Sequence, residues 1–132
     1  MKKALIFVLL LAAAYVAGYW PQRGLRDRLE TARSAVLVCR LQNELINILD
    51  QTQSQNYGMA QQIAGQFFDD LHNQMNDSAL ADYRQSLQTI AGQRDTVISA
   101  LAKADGSIVG SLRQDLGQVR QIQEKLSAQT NF

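Results

Sequence analysis

The sequence predicts an all-α protein in which an N-terminal transmembrane helix is followed by a long helix and three shorter helices that form an antiparallel helical bundle. Three observations predict this fold class. After two lysines, the first twenty residues are almost entirely apolar. Beyond them, apolar residues recur at intervals of three and four, and no segment alternates with period two over a useful length. The 132 residues contain one proline, Pro21, so little else in the chain breaks a helix.

The first element is expected to be a membrane anchor over residues 1–21. Lys2 and Lys3 precede an uninterrupted apolar run over residues 4–20, which lies at the lower end of what crosses a bilayer core of ~30 Å. Aromatic residues near the end of the run predict a belt at the membrane interface, formed by Tyr15, Tyr19 and Trp20. The alternative is a cleaved signal peptide. Because the best cleavage motif, at residues 16–18, is a poor one, we expect the segment to be retained.

Basic residues on the two sides of this run make opposite predictions about its orientation. Lys2 and Lys3 favour a cytoplasmic N-terminus. The arginines that follow the run favour the reverse orientation; they are Arg23, Arg26, Arg28 and Arg33. The compact lysine-rich start is typical of a signal-anchor. We therefore expect a single-pass protein of the inner (cytoplasmic) membrane with its C-terminal domain in the periplasm.

The domain over residues 22–132 is predicted to begin with a long helix over residues 22–54. Its first part carries an apolar stripe formed by Leu25, Leu29, Ala32, Val36 and Cys39. Its second part carries apolar residues on a rotated face, namely Leu41, Leu45, Ile48 and Leu49. The first stripe precedes the region that the three shorter helices are expected to reach, so Leu25, Leu29, Ala32 and Val36 are predicted to bind a partner. No single heptad covers the whole helix, which disfavours a long regular coiled coil.

Three shorter helices are predicted over residues 59–75, 78–103 and 107–128. The connections before them are polar: QTQSQNYG at 51–58, NDS at 76–78 and ADGS at 104–107. In the second connection Asp77 or Ser78 can cap the next helix, and in the third a glycine stop precedes a serine cap. The inward apolar residues are predicted to be Ala60, Ile63, Ala64, Phe67, Leu71, Met75, Leu80, Tyr83, Leu87, Ile90, Val97, Ile98, Leu101, Ile108, Leu112, Leu116, Val119, Ile122 and Leu126.

Charge and cysteine content exclude several classes of function. From residue 19 onward, 11 Lys and Arg face 12 Asp and Glu, so the domain is nearly neutral. It has no basic patch, and we therefore expect no nucleic-acid partner. The single cysteine, Cys39, cannot form an intramolecular disulfide. It lies among apolar residues and is predicted to be a buried small hydrophobe, the alternative being an intermolecular disulfide across a parallel dimer.

The densest cluster of polar and aromatic residues is GQFFDDLHNQ at residues 65–74. Asp69 and His72 are three residues apart on a predicted helix, and with Glu44 of the first helix they are the candidates for a metal site. Such sites in helical bundles draw Asp/Glu-x-x-His elements from several helices. Because His72 is the only histidine, no metal site and no cofactor are predicted. Arg94 falls on an apolar line and is expected to be partly buried, in an ion pair with Asp69, Asp70 or Glu44.

These features predict a non-enzymatic accessory or scaffold subunit. Its partners would be the lipid bilayer and either a larger membrane protein complex or further copies of itself, held through the transmembrane and membrane-proximal helix. One alternative is a periplasmic sensor or carrier that binds a small molecule or metal around Phe67, His72 and Arg94. Another is a secreted soluble binding protein, formed if the signal is cleaved.

Overall fold

The computed structural model describes residues 2–130, of which the side chains of residues 2–5, 7, 9, 19–23 and 130 lie outside the description. The described residues form helices and no strand, which confirms the all-α part of the predicted fold class. Its α-helices are α1 (Lys2–Gln53), α2 (Tyr57–Gln74), α3 (Arg84–Ala91), α4 (Arg94–Ala102) and α5 (Val109–Thr130). Two 3₁₀ helices, Ser78–Tyr83 and Gly106–Ile108, precede α3 and α5.

The first helix is longer than predicted, because α1 continues through residue 21. We expected an anchor over residues 1–21 to end at Pro21. A proline inside a helix costs about 3 kcal/mol, yet the helix continues through this position. Of the predicted interface residues, Tyr15 is exposed, and the side chains of Tyr19 and Trp20 lie outside the described part.

In the part of the chain that the structure describes, no helix is both long enough and apolar enough to cross a membrane. The transmembrane helix expected at residues 1–21 is therefore without structural support.

The core lies beside the second half of α1. This half packs against α2 and α5, and α2 packs in turn against α4. The α1 residues in the core are Val38, Leu41, Leu45, Ile48 and Leu49. Of the predicted inward residues on the other helices, Ile63, Met75, Tyr83 and Ile98 are partly buried against the core, and the rest are buried in it.

The predicted third helix, residues 78–103, is divided into a 3₁₀ helix, α3 and α4. Asp77 caps the first of these by accepting a hydrogen bond from the Ala79 backbone N–H at 3.0 Å, which confirms one of the two predicted caps. The second division lies at Gly92 and Gln93. Glycine costs a helix only about 1 kcal/mol. The side-chain hydrogen bonds of Gln93 to α5, described below, therefore favour the break.

The connection before α5 differs from the predicted glycine stop and serine cap. Ala104 has a φ of 54°, so an alanine adopts the left-handed conformation that was expected of Gly106. Asp105 forms the cap, accepting a hydrogen bond from the Ser107 N–H at 2.9 Å. The last backbone hydrogen bond of α4, from the Asp105 N–H to the Ala100 carbonyl at 2.9 Å, requires this sharp reversal at residue 104.

Candidate docking face and buried polar cluster

Helix α1 carries two faces that point in nearly opposite directions. Residues two apart on a helix are separated by about 200°. Val38 is therefore 1% exposed in the core, whereas Val36 is 68% exposed. We name the exposed side the outer face; its residues are Leu25, Leu29, Ala32, Val36 and Cys39, all exposed. The inner face begins at Ser34, which is buried, and continues along the core residues of α1.

The outer face is exposed for a different reason from the one predicted. We expected the three shorter helices to stop short of it. The shorter helices do extend alongside this part of α1. Asp77, which lies just before the 3₁₀ helix Ser78–Tyr83, forms an ion pair of 2.7 Å with Arg33. A surface groove further along also joins Asp27 and Glu30 of α1 to Gln129 at the end of α5. The outer face is uncovered because it faces away from the bundle. Its role in binding a partner stays a prediction.

Cys39 belongs to this outer face, and the prediction that it is buried is wrong. The thiol is exposed and forms no disulfide within the chain. Cys39 does continue the apolar stripe that starts at Leu25, as the periodicity predicts. That stripe does not enter the core. An exposed thiol on an apolar face is accessible to a second molecule that covers the same face.

Arginines border the outer face on the side nearest α2. Arg26, Arg33 and Arg40 are spaced by seven residues, so they form one edge of the face. Arg33 pairs with Asp77. The Arg40 guanidinium pairs with Asp70 at 2.7 Å and with Glu44 at 3.3 Å. Two of the three arginines are therefore neutralised by carboxylates of their own chain.

Glu44 and Asp70 share the Arg40 guanidinium on the border of α1 and α2. Burial raises the pKa of Glu44, and the neighbouring carboxyl of Asp70 raises it further by hydrogen bonding and charge repulsion. Arg40 acts in the opposite direction. This cluster links α2 to α1 at the edge of the outer face.

The metal candidates do not come together. Asp69 pairs with Arg94 at 2.9 Å. The aspartate that shares the Arg40 guanidinium with Glu44 is Asp70. His72 is exposed. Among the described residues, no group of three or more His, Cys, Asp or Glu side chains is close enough to hold a metal ion.

The ion pair predicted for Arg94 is confirmed with Asp69, although it lies at the surface, with the two side chains 47% and 65% exposed. Around Arg94 there is a shallow groove of about 410 Å³ between α2 and α4, lined also by Gln61, Gly65 and Ile98. Phe67, which we grouped with Arg94 and His72 as a ligand site, is fully buried in the core. The three residues therefore do not line one pocket.

A buried polar cluster joins α5 to the break between α3 and α4, and the sequence analysis missed it. Asp115 is fully buried, and its Oδ1 accepts a hydrogen bond from Gln93 Nε2 at 2.8 Å. The Ser111 hydroxyl donates to Gln93 Oε1 at 2.6 Å. The second carboxylate oxygen of Asp115, Oδ2, is buried with no hydrogen-bond partner. Burial raises the pKa of Asp115 to about 6, although the Gln93 hydrogen bond acts to lower it.

A signal for this cluster was present in the sequence. Asp115 falls between Leu112 and Val119 at the three- and four-residue spacing of the apolar line of α5. A carboxylate in that register occupies a core position. Its partner could not be predicted, because Gln93 reaches it only where α3 and α4 separate.

The fold and these surfaces define an all-α bundle built along one long helix whose outer face is apolar, exposed and bordered by arginine. Comparison with known proteins adds no relative: the chain matches no protein-family model, no curated protein and no solved structure.

Proposed function

We propose that this protein is a non-enzymatic accessory or scaffold subunit of a membrane assembly. Residues 1–21 hold it at the inner membrane, and the bundle lies in the periplasm. The outer face of α1 docks onto a larger membrane protein complex or onto further copies of the chain. The proposal assigns the protein no catalytic step and no cofactor.

The exposed row of large apolar side chains on the outer face carries this proposal. Leu25, Leu29 and Val36 are each more than 60% exposed. Burying a side chain of this kind contributes roughly 1.5–3 kcal/mol. A contiguous apolar surface next to charged residues is typical of an interaction site.

The sequence of residues 4–20, which contains no charged residue, supports membrane attachment. In the described part of this segment, large apolar side chains face outward without cover from the bundle; they are Ile6, Val8, Leu10, Leu11 and Val16, each 55–66% exposed. Such a surface is unfavourable in water and favourable in lipid. Lys2 and Lys3 support a cytoplasmic N-terminus.

Site-directed crosslinking in native membranes tests the docking role. Single cysteines are placed at Leu29 or Val36 in a Cys39→Ser background and treated with a short bifunctional thiol crosslinker. Each is expected to capture a defined partner, because both side chains lie in the proposed contact. The matched control is Glu30→Cys, an exposed residue of the same helix outside the outer face. If the two positions capture no more than the control does, the docking role is wrong.

Intact-mass measurement and membrane extraction test the attachment. We expect a mature chain that retains residues 1–21, stays with the membrane in alkaline carbonate and dissolves in detergent. A mature chain that begins near residue 19 would contradict the anchor and favour the secreted binding protein instead.

A further inference from the structure

The residues of the outer face follow the spacing of a coiled-coil seam. Along α1 the five residues of the outer face and the next seam position, Asn43, alternate steps of four and three: Leu25, Leu29, Ala32, Val36, Cys39 and Asn43. All six are exposed. In heptad notation Leu29, Val36 and Asn43 occupy a positions, and Leu25, Ala32 and Cys39 occupy d positions. The inner face has its own heptad, which is why no single heptad described the whole helix.

The same phase extends towards the N-terminus, because α1 is continuous through residue 21. Leu11 lies two heptads before Leu25, and Val8 lies three heptads before Leu29. Both side chains are exposed, at 59% and 66%. Gly18 and Gln22 occupy the d and a positions immediately before Leu25, so the seam has two parts. The continuous apolar part runs from Leu25 to Cys39, about two heptads, and Val8 and Leu11 form a separate part near the N-terminus.

We propose that a second copy of this chain covers the outer face, so that two α1 helices form a parallel, in-register, two-stranded coiled coil with the bundles on its outside. This inference rests on the proposed docking function and names the partner. The inner face, which α2 and α5 cover, points away from the seam, so the bundle of each copy leaves the contact open.

The charges beside the seam favour the parallel orientation. One edge, the e positions, carries Arg26, Arg33 and Arg40, whereas the g positions carry Arg28, Ala35 and Gln42. An antiparallel pair would place the two arginine edges against each other, because e then faces e. A parallel pair places the arginine edge of each copy against the less charged edge of the other.

One kind of like-charge contact is left in the parallel pair, between Arg28 of one copy and Arg33 of the other, and the symmetry of the pair repeats it once. Its cost is reduced because Arg33 is held at 2.7 Å by Asp77 of its own bundle. Arg40, the next residue of that edge, faces Ala35 and is already paired with Asp70. Carboxylates of the bundle therefore offset part of the positive charge on this edge, which reduces the repulsion between two copies.

The residues in the seam also favour a dimer in one register. A branched residue at an a position, here Val36, and leucine at a d position, here Leu25, favour two strands. A single asparagine at an a position, here Asn43, specifies register because it pairs with its equivalent across the seam. In that register the two Cys39 thiols are adjacent.

The seam supplies apolar contact both outside the membrane segment and within it. Burying a large apolar side chain removes about 100 Å² from water. Outside residues 1–21 the large residues of the seam are Leu25, Leu29 and Val36, which together would remove about 600 Å² from water in the two copies, less than the roughly 1,000 Å² of a specific interface between free proteins. Val8 and Leu11, which lie in lipid under the proposed function, add packing contact there. Attachment to one membrane would raise the effective concentration of the copies further.

Oxidation of the full-length chain in its native membrane tests the inference. Two differently tagged copies are expressed together and treated briefly with diamide. In each disulfide two thiols lose two protons and two electrons, which reduce the diamide N=N bond to the hydrazine. We expect a disulfide-linked dimer carrying both tags, absent in Cys39→Ser. In that background Ala32→Cys, one heptad earlier, should restore it, and Glu30→Cys should not.

A double variant tests whether the apolar side chains of the seam, and not chance collision of the thiols, bring the two copies together. Leu29→Asp with Val36→Asp changes two exposed side chains and leaves the core residues intact, so the bundle should melt as before. In this variant we expect the Cys39-linked dimer to fall at least tenfold. Unchanged crosslinking would mean random collision in the membrane and would overturn the inference.

The outcomes separate this inference from the proposed function. Dimers from both Cys39 and Ala32→Cys support both. Capture of a different protein from Leu29→Cys or Val36→Cys, with no disulfide between copies, overturns the second copy as partner and leaves the docking role standing. If neither experiment captures anything above the Glu30→Cys control, both are wrong. An antiparallel pair would be revealed by linkage between unlike positions only, and it would overturn the orientation.

Discussion

Val36 and Val38 stand two residues apart on α1, yet one is exposed and the other is enclosed in the core. The two faces of this helix are built from similar apolar side chains at similar spacing. What separates them is the position of α2 and α5, which cover only one side. Apolar periodicity therefore identifies a face that needs a partner, but it does not say whether that partner belongs to the same chain. The comparison makes opposite predictions for substitutions on the two faces.

The largest expected effect comes from Leu41→Ala on the inner face. Leu41 is fully buried, so the substitution leaves a cavity in the core. We expect a loss of about 2–5 kcal/mol in the free energy of unfolding. Urea denaturation of the full-length protein in detergent, followed by circular dichroism, measures it.

Leu29→Ala is the matched control on the outer face. In dilute monomer it should change the free energy of unfolding by no more than about 0.5 kcal/mol. At concentrations where copies associate, its effect should increase, because association stabilises the folded state by mass action. Equal losses for the two variants in dilute solution would contradict the assignment of the faces.

Asp115→Asn is expected to have the next largest effect, and it depends on pH. The pKa of Asp115 is raised in the folded state to about 6, above its ordinary value of 3.8. The folded state therefore binds the proton more tightly than the unfolded state, and stability is lost as pH rises from about 4 through 6. Asparagine keeps an acceptor for Gln93 without the buried charge. We expect it to stabilise the protein by about 1–2 kcal/mol at pH 7.5.

The difference between Asp115→Asn and the natural chain should be smallest at pH 4, close to the ordinary pKa of 3.8, because Asp115 is then protonated in the folded state and only partly ionised in the unfolded state. Thermal melts at pH 4, 5, 6 and 7.5 measure this convergence. Asp95→Asn, at an exposed carboxylate on α4, is the control and should show no comparable trend. A difference that stays constant with pH would contradict a buried charge at Asp115.

A smaller effect is expected at Ala104, which adopts a φ of 54°. An L-residue with a side chain pays roughly 1–2 kcal/mol for the left-handed conformation. The Ala104→Gly substitution removes this strain. It also raises the conformational entropy of the unfolded chain, which destabilises the folded state. The two effects leave a net stabilisation of about 0.5 kcal/mol. Ala102→Gly, inside the last turn of α4, should destabilise by up to about 1 kcal/mol. Chemical denaturation of both variants should therefore give shifts of opposite sign.

Most of the fold could be predicted from the sequence, since the residues inward on α2 and α5 recur at three and four and are found in the core. The predicted helix ends were wrong where tertiary contacts outweigh the local conformational preference of the residues. Gly92 is a weak helix breaker, and the helix divides there because Gln93 bonds to Asp115 across the bundle. The turn at Ala104 was not predicted because alanine has no preference for a positive φ; the local hydrogen bond from the Asp105 N–H to the Ala100 carbonyl accompanies it.

The candidate site was predictable in part. The stripe from Leu25 to Val36 could be found from its spacing, but Cys39 was assigned to the core because a monomeric chain offers no other place for a buried apolar row. The heptad of the outer face was hidden by the inner one, since the two are offset by only two residues. Which row turns inward is decided by helices distant in sequence, and periodicity carries no information on that choice.

The smallest expected effect concerns the ion pair at the border of the two faces. Arg33 is 67% exposed, whereas the Asp77 carboxylate is 17% exposed. Exposed pairs contribute about 0–1 kcal/mol to stability and are screened by salt. We expect Arg33→Gln to cost the dilute monomer less than about 0.5 kcal/mol, with the difference vanishing in 1 M sodium chloride. Asp77 must be left intact in this test, because its side chain also caps the 3₁₀ helix.

The same substitution should act in the opposite direction on the coiled coil. Arg33→Gln removes the like-charge contact with Arg28 of the second copy, so Cys39-linked dimers should form faster although the monomer is slightly less stable. Arg120→Gln, on the exposed side of α5, is the control and should change neither quantity. Slower dimer formation in Arg33→Gln would mean that Arg33 attracts its partner across the seam. It would contradict the like-charge contact between Arg33 and Arg28 of the second copy.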